Sequence, residues 1–380
     1  MMVLNENQKM IRDMTRDFAR AKLAPIAAEI DESGEFPEAT VKEMGRLGLL
    51  GLTVPPADGG TRLDALSYSL VVEEVGKVCA SHGLTVAAHN SLGCWPIHAY
   101  GTPEQKERWL KPACRGEFLL SFGLTEAEAG SDAGGTRTTA VKDGDGWLLN
   151  GSKQWITNAH YAGALIITAV TDPDQPPGRG ISAFIVPIDA PGFTVEKKED
   201  KLGMRASDTA PLRLEDVRVG ADALLGEVGA GFRYFLETLD GGRISIASLA
   251  LGIAQGAFEV ARDYAKERIQ FGRPIAKQQA VGFMLADMST QIDAARLLIH
   301  ESCRLEDAHE PFAEMSAKAK LFASEMAMKV TYDAIQVLGG YGFCREYPVE
   351  RMYRDAKLCT IGEGTSEILR MVIARSVLED

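Results

Sequence analysis

The chain of 380 residues is poor in the features that mark several large function classes. Its six cysteines (Cys79, Cys94, Cys114, Cys303, Cys344 and Cys359) lie far apart and form no CxxC pair. That reads as reduced thiols in a reducing compartment and removes a thiol-ligated zinc site. Lysine and arginine are outnumbered, 41 against 53 acids, for a formal net charge of −12. They are spread along the chain, which argues against a nucleic-acid footprint, since that needs a basic face. A locally basic pocket for an anionic ligand is compatible with such a surface. No stretch approaches an apolar run of about 20 residues, so no membrane-spanning helix is expected. No signal peptide is read at the start, and the early acids Glu6, Asp13 and Asp17 argue against a transit peptide, so the expected location is the cytoplasm.

Nucleotide and metal signatures are missing too. No GxGxxG follows a strand, Gly229-Ala-Gly231 is not that fingerprint, and there is no P-loop. Glu306-Asp-Ala-His309 has the Glu-x-x-His spacing of a di-iron bundle but no second copy, and the histidines are scattered, so no metal is expected. Internal repeats and low-complexity tracts are absent as well.

What is present is an ordinary globular composition, 46% hydrophobic and 25% charged, long enough for two or three domains. Asn5-Glu-Asn-Gln8 has the spacing of a capping box, with Ile11, Met14 and Phe18 following on one face. Helical runs are expected over Glu38 to Leu50, ended by Gly51, and over Leu63 to Val78, with Glu73 and Glu74 on its polar side. Ser81 to Tyr100 is rich in small residues, which suits close packing or a cavity wall. From Gly146 the character changes: Asn150-Gly151 is a hairpin signal, and 164–170, 181–188 and 212–219 read as strands. Beyond Gly229, Ile244, Ala247, Leu251, Ala254, Phe258 and Ala261 follow the spacing of a helical bundle, continued over 279–308 and 314–338. The expected fold is α+β and multidomain: an N-terminal all-α domain (1–118), a middle β-barrel or sandwich domain (119–227) and a C-terminal four-helix bundle (228–380).

One stretch stands out chemically. In Ile361-Gly-Glu-Gly-Thr-Ser-Glu-Ile368, Glu363 sits between two glycines, which free the backbone for φ > 0 and for close approach of another molecule. Thr365 or Ser366 is placed to cap the last helix. Several Gly- and Thr-rich turns accompany it: Leu124-Thr-Glu-Ala-Glu-Ala-Gly-Ser-Asp132, Trp155-Ile-Thr157, Leu239-Asp-Gly-Gly-Arg243, Arg268-Ile-Gln-Phe-Gly272 and Gln336-Val-Leu-Gly-Gly-Tyr-Gly342. An aromatic ring beside a threonine suits a flat heterocycle, and a loop with Arg268 and Arg273 suits a pyrophosphate.

In this order and spacing these motifs resemble the acyl-CoA dehydrogenase family of flavoproteins, over nearly the whole chain. The resemblance implies FAD bound between the middle domain and the bundle, with contacts from Leu124, Thr125, Gly130 and Ser131, the last at the border of flavin and CoA. Trp155, Ile156 and Thr157 would border the isoalloxazine ring. Arg268, Phe271 and Gln278 would reach the FAD of a neighbouring subunit, as would Gln336, Gly339 and Gly340, with Thr365 and Glu367 completing that site. Asp240 and Arg243 match the family's CoA-binding pair, and Glu363 falls on its catalytic base. The implied reaction removes an α-proton to Glu363 and a β-hydride to flavin N5, giving a 2-enoyl-CoA. The implied partners are an acyl-CoA, electron-transfer flavoprotein and further copies of the chain in a homotetramer, a dimer of dimers.

Three positions refine the resemblance. Some relatives carry the base just before the arginine of the 239–243 segment, where this chain has Gly242. Many straight-chain members have tyrosine where this chain has Gly362, so a wider pocket and a branched, cyclic or bulky short-to-medium acyl group are expected. Gly83 stands where the glutaryl branch holds a terminal carboxylate with arginine, which disfavours a dicarboxylate. Thr85, Ala88, His89, Leu92, Gly362 and Gly364 are the candidate substrate-lining positions. An acyl-CoA oxidase using O₂, and a non-catalytic relative binding FAD and nucleic acid, are the alternatives.

Overall fold

The computed structural model describes residues 4–379, so the first three residues and the last one of the expected outer domains lie outside the described residues. The N-terminal helices are α1 (Glu6–Phe18), α2 (Ala27–Ser33), α3 (Glu38–Arg46), α4 (Ala65–Gly76), α5 (Ala80–Ala88), α6 (Trp95–Tyr100), α7 (Pro103–Gln105) and α8 (Lys111–Cys114). Then come β1 (Leu119–Gly123), β2 (Thr139–Asp143), β3 (Gly146–Thr157), β4 (Ala162–Val170), β5 (Ile181–Pro187), β6 (Phe193–Val195), β7 (Thr209–Val219) and β8 (Leu224–Leu225). The bundle holds α9 (Gly231–Glu267), a hairpin of β9 (Ile269–Gln270) and β10 (Arg273–Pro274), α10 (Gln279–Asp307), α11 (Ala313–Leu338), α12 (Val349–Cys359) and α13 (Ser366–Glu379).

The capping box at the start of α1 forms as expected: Gln8 N donates to Asn5 Oδ1 and Asn5 N to Gln8 Oε1, both at 2.9 Å. Gln8 Nε2 also donates to Asp64 Oδ2 at 3.0 Å, and Asp64 caps α4 through Ser67 N at 2.6 Å, so one carboxylate joins two helix starts. Helix α3 stops earlier than expected, because Gly48, at φ 77°, turns the chain into the left-handed region before Gly51 is reached. Glu73 and Glu74 are not on a solvated face. Both are buried and paired, with Arg296 Nη2 at 2.7 Å and Arg16 Nε at 3.3 Å.

Strands pair in the order β6-β7-β3-β2-β4-β5-β8, with β1 alongside β4. The halves on either side of β2 and β4 meet in sequence register only at Thr139 and Val170. They share one core, in which Trp147 of β3 meets Phe184 of β5 edge-on at 5.2 Å. Asn150-Gly151 is not the hairpin turn; the chain reverses at Gly144-Asp145, between the paired Asp143 and Gly146. Gly151 instead marks a bulge in β3 at φ 152°, where a Cβ would stand 2.5 Å from Thr138 Oγ1.

Helix α9 is the axle of the molecule, packing on α4, α5, α10, α11 and α12. It is long and apolar enough to cross a membrane by length and composition, contrary to the expectation, but 78% of its apolar window is buried inside the protein. Its alanines and glycines are core-packing residues: a Cβ on Gly252 would meet Glu73 O at 2.3 Å. Helix α12 was not expected from the sequence. Its polar face, with Arg354 bound to Asp31 and Glu350, hides its periodicity.

Candidate active site

The Gly-Glu-Gly loop joins α12 to α13 and is held at both ends by its own backbone. Ile361 N and Gly362 N donate to Leu358 O at 2.9 Å, Ser366 N to Thr360 O at 3.2 Å, and Ile368 N to Thr365 Oγ1 at 3.3 Å. Thr365 is therefore the cap of α13. The left-handed residues are Glu363 itself (φ 53°) and Gly364 (φ 93°), and Gly362 is not among them. A non-glycine residue held there stores strain of about 1 kcal/mol or more, a device concentrated at functional sites. Trp155 (φ 59°) and Phe271 (φ 52°), two further candidate residues, are in the same region.

The loop aims the Glu363 side chain at α9. The residue as a whole is half-buried, but Oε2 is shut off from solvent with no hydrogen-bond partner among the described residues. The Glu363 amide likewise donates to nothing among the described residues. Burial pushes the carboxyl up to about 7, with Lys320 and Arg243 pulling the other way. The carboxylate lies on bare backbone: a Cβ on Gly242 would be 2.2 Å from Oε2. Any side chain at 242 would collide with the acid in this position. On the next residue, Arg243 is buried, donates from Nη1 to Asp240 Oδ1 at 2.7 Å, and leaves Nε buried and unpartnered.

The Leu124–Ser131 segment leaves β1 and crosses the end of β3, where Gln154 N donates to Thr125 O at 2.7 Å. Beneath it lies a saturated ion pair. Lys153 Nζ, fully buried, donates to Glu126 Oε1 at 2.7 Å, Leu124 O at 3.1 Å and Thr136 Oγ1 at 3.0 Å. Glu126 also accepts from Thr136 Oγ1, from Thr138 Oγ1 at 2.6 Å and N at 3.0 Å, and from Arg137 N at 2.7 Å. Burial opposes its charge, yet Lys153 and the threonines hold it down to about 2. Above this base Gly130 and Ser131 are exposed, and a Cβ on Gly130 would meet nothing within 4 Å. Trp155 is 56% exposed, Ile156 is buried, and Thr157 is half-buried with its carbonyl accepting from Ser121 Oγ.

In the bundle, Arg268, Gly339 and Gly340 come together with Tyr264, Tyr341 and Cys344 around a cavity of about 450 Å³. The Arg268 guanidinium lies 5.6 Å from the Tyr341 ring centroid, and Cβ atoms on Gly339 and Gly340 would meet nothing within 4 Å. Gln336 is exposed near this cavity but outside its wall. Phe271, at the tip of the β9–β10 hairpin, is 94% exposed, and Gln278 binds Arg273 Nη2 at 2.9 Å. These features fit the flavin that the sequence implies: aromatic faces left free, glycine rims open to close approach, and an arginine for a pyrophosphate. Glu367 is exposed on the first turn of α13.

His89 is corrected from a substrate-lining candidate to a packing residue. It is fully buried, with Nε2 on Leu50 O and Nδ1 accepting from Leu120 N, both at 3.0 Å, and burial lowers it to about 4. Gly362 has room: a Cβ would meet nothing nearer than Leu358 O at 3.7 Å. Two residues were missed, Lys153 and Lys320. The signal was available for Lys320, which sits between the fully buried Ala317, Ala319 and Ala323, on the face where no lysine belongs.

The chain matches the family descriptions "Acyl-CoA dehydrogenase, N-terminal domain" over 5–117, "middle domain" over 121–217 and "C-terminal domain" over 229–378. It is 50% identical to the mitochondrial short-chain specific acyl-CoA dehydrogenase of Bos taurus, over 99% of this chain and 91% of that one. Butyryl-CoA dehydrogenase from Megasphaera elsdenii superposes with a TM-score of 0.97 at 43% identity, covering 100% of both chains. A chain solved in work on the electron transferring flavoprotein of Acidaminococcus fermentans and electron bifurcation superposes at 0.98, with 47% identity and 100% of both chains covered.

Proposed function

The chain belongs to the acyl-CoA dehydrogenase family, and from that premise we propose that Glu363 is the base that takes the α-proton of a short acyl-CoA thioester. The reaction class is FAD-dependent α,β-dehydrogenation of an acyl-CoA. The observation carrying the assignment of the base is the buried, unpartnered Oε2 of Glu363. A carboxylate stripped of water and hydrogen bonds is a stronger base than one in solution, and a value near 7 suits a general base at neutral pH. The free amide of Glu363 would donate to the thioester carbonyl and steady negative charge on its oxygen.

FAD, when bound, would supply the acceptor for the β-hydrogen, which leaves the substrate as hydride. Trp155, Ile156 and Thr157 would border its ring, with Leu124, Thr125, Gly130 and Ser131 along one side. Arg268, Phe271, Gln278, Gln336, Gly339, Gly340, Thr365 and Glu367 would complete the site of a neighbouring subunit. Asp240 and Arg243 would hold CoA. Exposed Phe271, Phe283, Phe343, Met371 and Leu378 support burial against further copies, in the homotetramer this reading assigns. Electron-transfer flavoprotein is the proposed acceptor, and the free cysteines suit a cytoplasmic location.

The short chain length rests on the similarity to short-chain and butyryl-CoA enzymes, and the room at Gly362 supports tolerance of branching. The test is anaerobic bleaching of the flavin by a panel of straight, branched and cyclic acyl-CoAs. Fastest bleaching by C4–C5 thioesters is expected. Bleaching by none of them would contradict the assignment, and rapid O₂ consumption would move it to an oxidase.

A further inference from the structure

The described structure buries two lysines almost completely, Lys153 and Lys320. The first is accounted for by Glu126. The second is in no ion pair among the described residues: its Nζ donates to the carbonyl of Gly364, at 2.6 Å. Removing an ammonium from water costs several kcal/mol, and a leucine or methionine would fill the same space on the alanine face of α11 without that penalty. What the lysine provides is aimed at one place. Gly364 follows Glu363, and Glu363 is a non-glycine residue in the left-handed region, which holds that conformation only if its surroundings over-determine it. A charge-assisted bond from a rigid helix does this.

We infer that Lys320 is the positioning residue of the base: its buried ammonium fastens the Glu363–Gly364 loop to α11 through the Gly364 carbonyl. Its charge, opposite in sign to the ionised base, also works against the rise that burial imposes on Glu363. The inference rests on the reading of Glu363 as the base. The groups facing Glu363 are few. Lys320 comes from α11 and Arg243 from α9, with Tyr68 on α4 and Cys359 on α12 adding polar groups that burial keeps neutral, and Glu306 of α10, raised by burial to about 7, lies against the adjoining Gly241. Arg243 already spends its Nη1 on Asp240, so Lys320 is the cation without a carboxylate partner. Burial weakens its own ammonium to about 8, which leaves it charged at neutral pH.

The test is a pH titration of the Glu363 carboxyl band by infrared difference spectroscopy on the flavin-loaded protein, with Glu363→Gln as the blank. Flavin-reduction rates on the same samples give the second readout. Lys320→Gln keeps a donor within reach of Gly364 O but no charge, and Lys320→Arg keeps the charge. The midpoint is expected to rise by about one pH unit in Lys320→Gln and to stay with the parent in Lys320→Arg, the scale of a nearby opposite charge. Flavin reduction below the midpoint should slow about tenfold in the glutamine variant. Coincident midpoints in all three proteins would overturn the inference, as would loss of flavin and fold in both variants, which would make Lys320 a folding residue only. Full activity in Glu363→Gln would instead sink the assignment of the base and leave Lys320 without a client.

Discussion

The middle domain and the bundle each set a buried lysine close to a glutamate, and they arrange the two in opposite ways. In the middle domain Lys153 and Glu126 touch at 2.7 Å, and three further residues, Thr136, Arg137 and Thr138, donate to the carboxylate. In the bundle Lys320 is spent on a backbone carbonyl, and Glu363 keeps Oε2 unpartnered. The first acid is held down to about 2 and the second is pushed up to about 7. The residue types are the same, and the difference is decided by whether donors reach the carboxylate. A carboxylate bound by that many donors keeps its charge and serves as a pin under the 124–131 segment. An unsaturated one is held ready to accept a proton.

The largest expected effect breaks the contrast at Glu363. Glu363→Gln should keep flavin and fold while turnover falls about 10²–10⁴-fold, the scale of a general base. Next in size is the pin. Glu126→Ala leaves the Lys153 ammonium buried and uncompensated, which should destabilise the protein by about 3–5 kcal/mol, read as a lower denaturation midpoint. The double change with Lys153→Met should recover much of that loss.

The pH dependence of stability should separate the two acids by sign. Glu126, depressed in the folded state, contributes stability present above about 4.5 and lost as pH falls through about 2. Glu363, raised in the folded state, contributes stability present below about 4.5 and lost as pH rises through about 7. Each amounts to about 3 kcal/mol. Glu363→Gln should therefore melt above the parent at pH 8 and with it at pH 4.5, whereas a glutamine at 126 should flatten the acid limb. The smallest effect is expected at Gly242→Ala. The methyl group would displace Oε2, slowing flavin reduction about tenfold with little change in flavin binding.

Much of this was legible in the chain. Periodicity places α4, α9, α10 and α11, and the motif set leads to Glu363 before any geometry is known. What sequence reasoning missed was tertiary. Asn150-Gly151 carries a turn signal but lies mid-strand, because the bulge opposite Thr138 needs the same backbone freedom as a turn. Glu73 and Glu74 look solvated until Arg16 and Arg296 arrive from distant helices. His89 looks like a ligand until Leu50 and Leu120 occupy its ring. The electrostatics of the base belong to this class, since Gly242 and Lys320 reach Glu363 from helices remote in sequence.

The central claim is that Glu363 is a buried base ready at neutral pH. Its most direct test is anaerobic single-turnover reduction of the bound flavin by butyryl-CoA, followed from pH 5 to 9 in the parent and in Glu363→Gln at matched flavin occupancy. The account predicts a parental rate that rises through a midpoint near 7 and then levels off, and a slow, flat profile in the variant. A variant that bleaches at the parental rate, or that keeps the midpoint near 7, would contradict it.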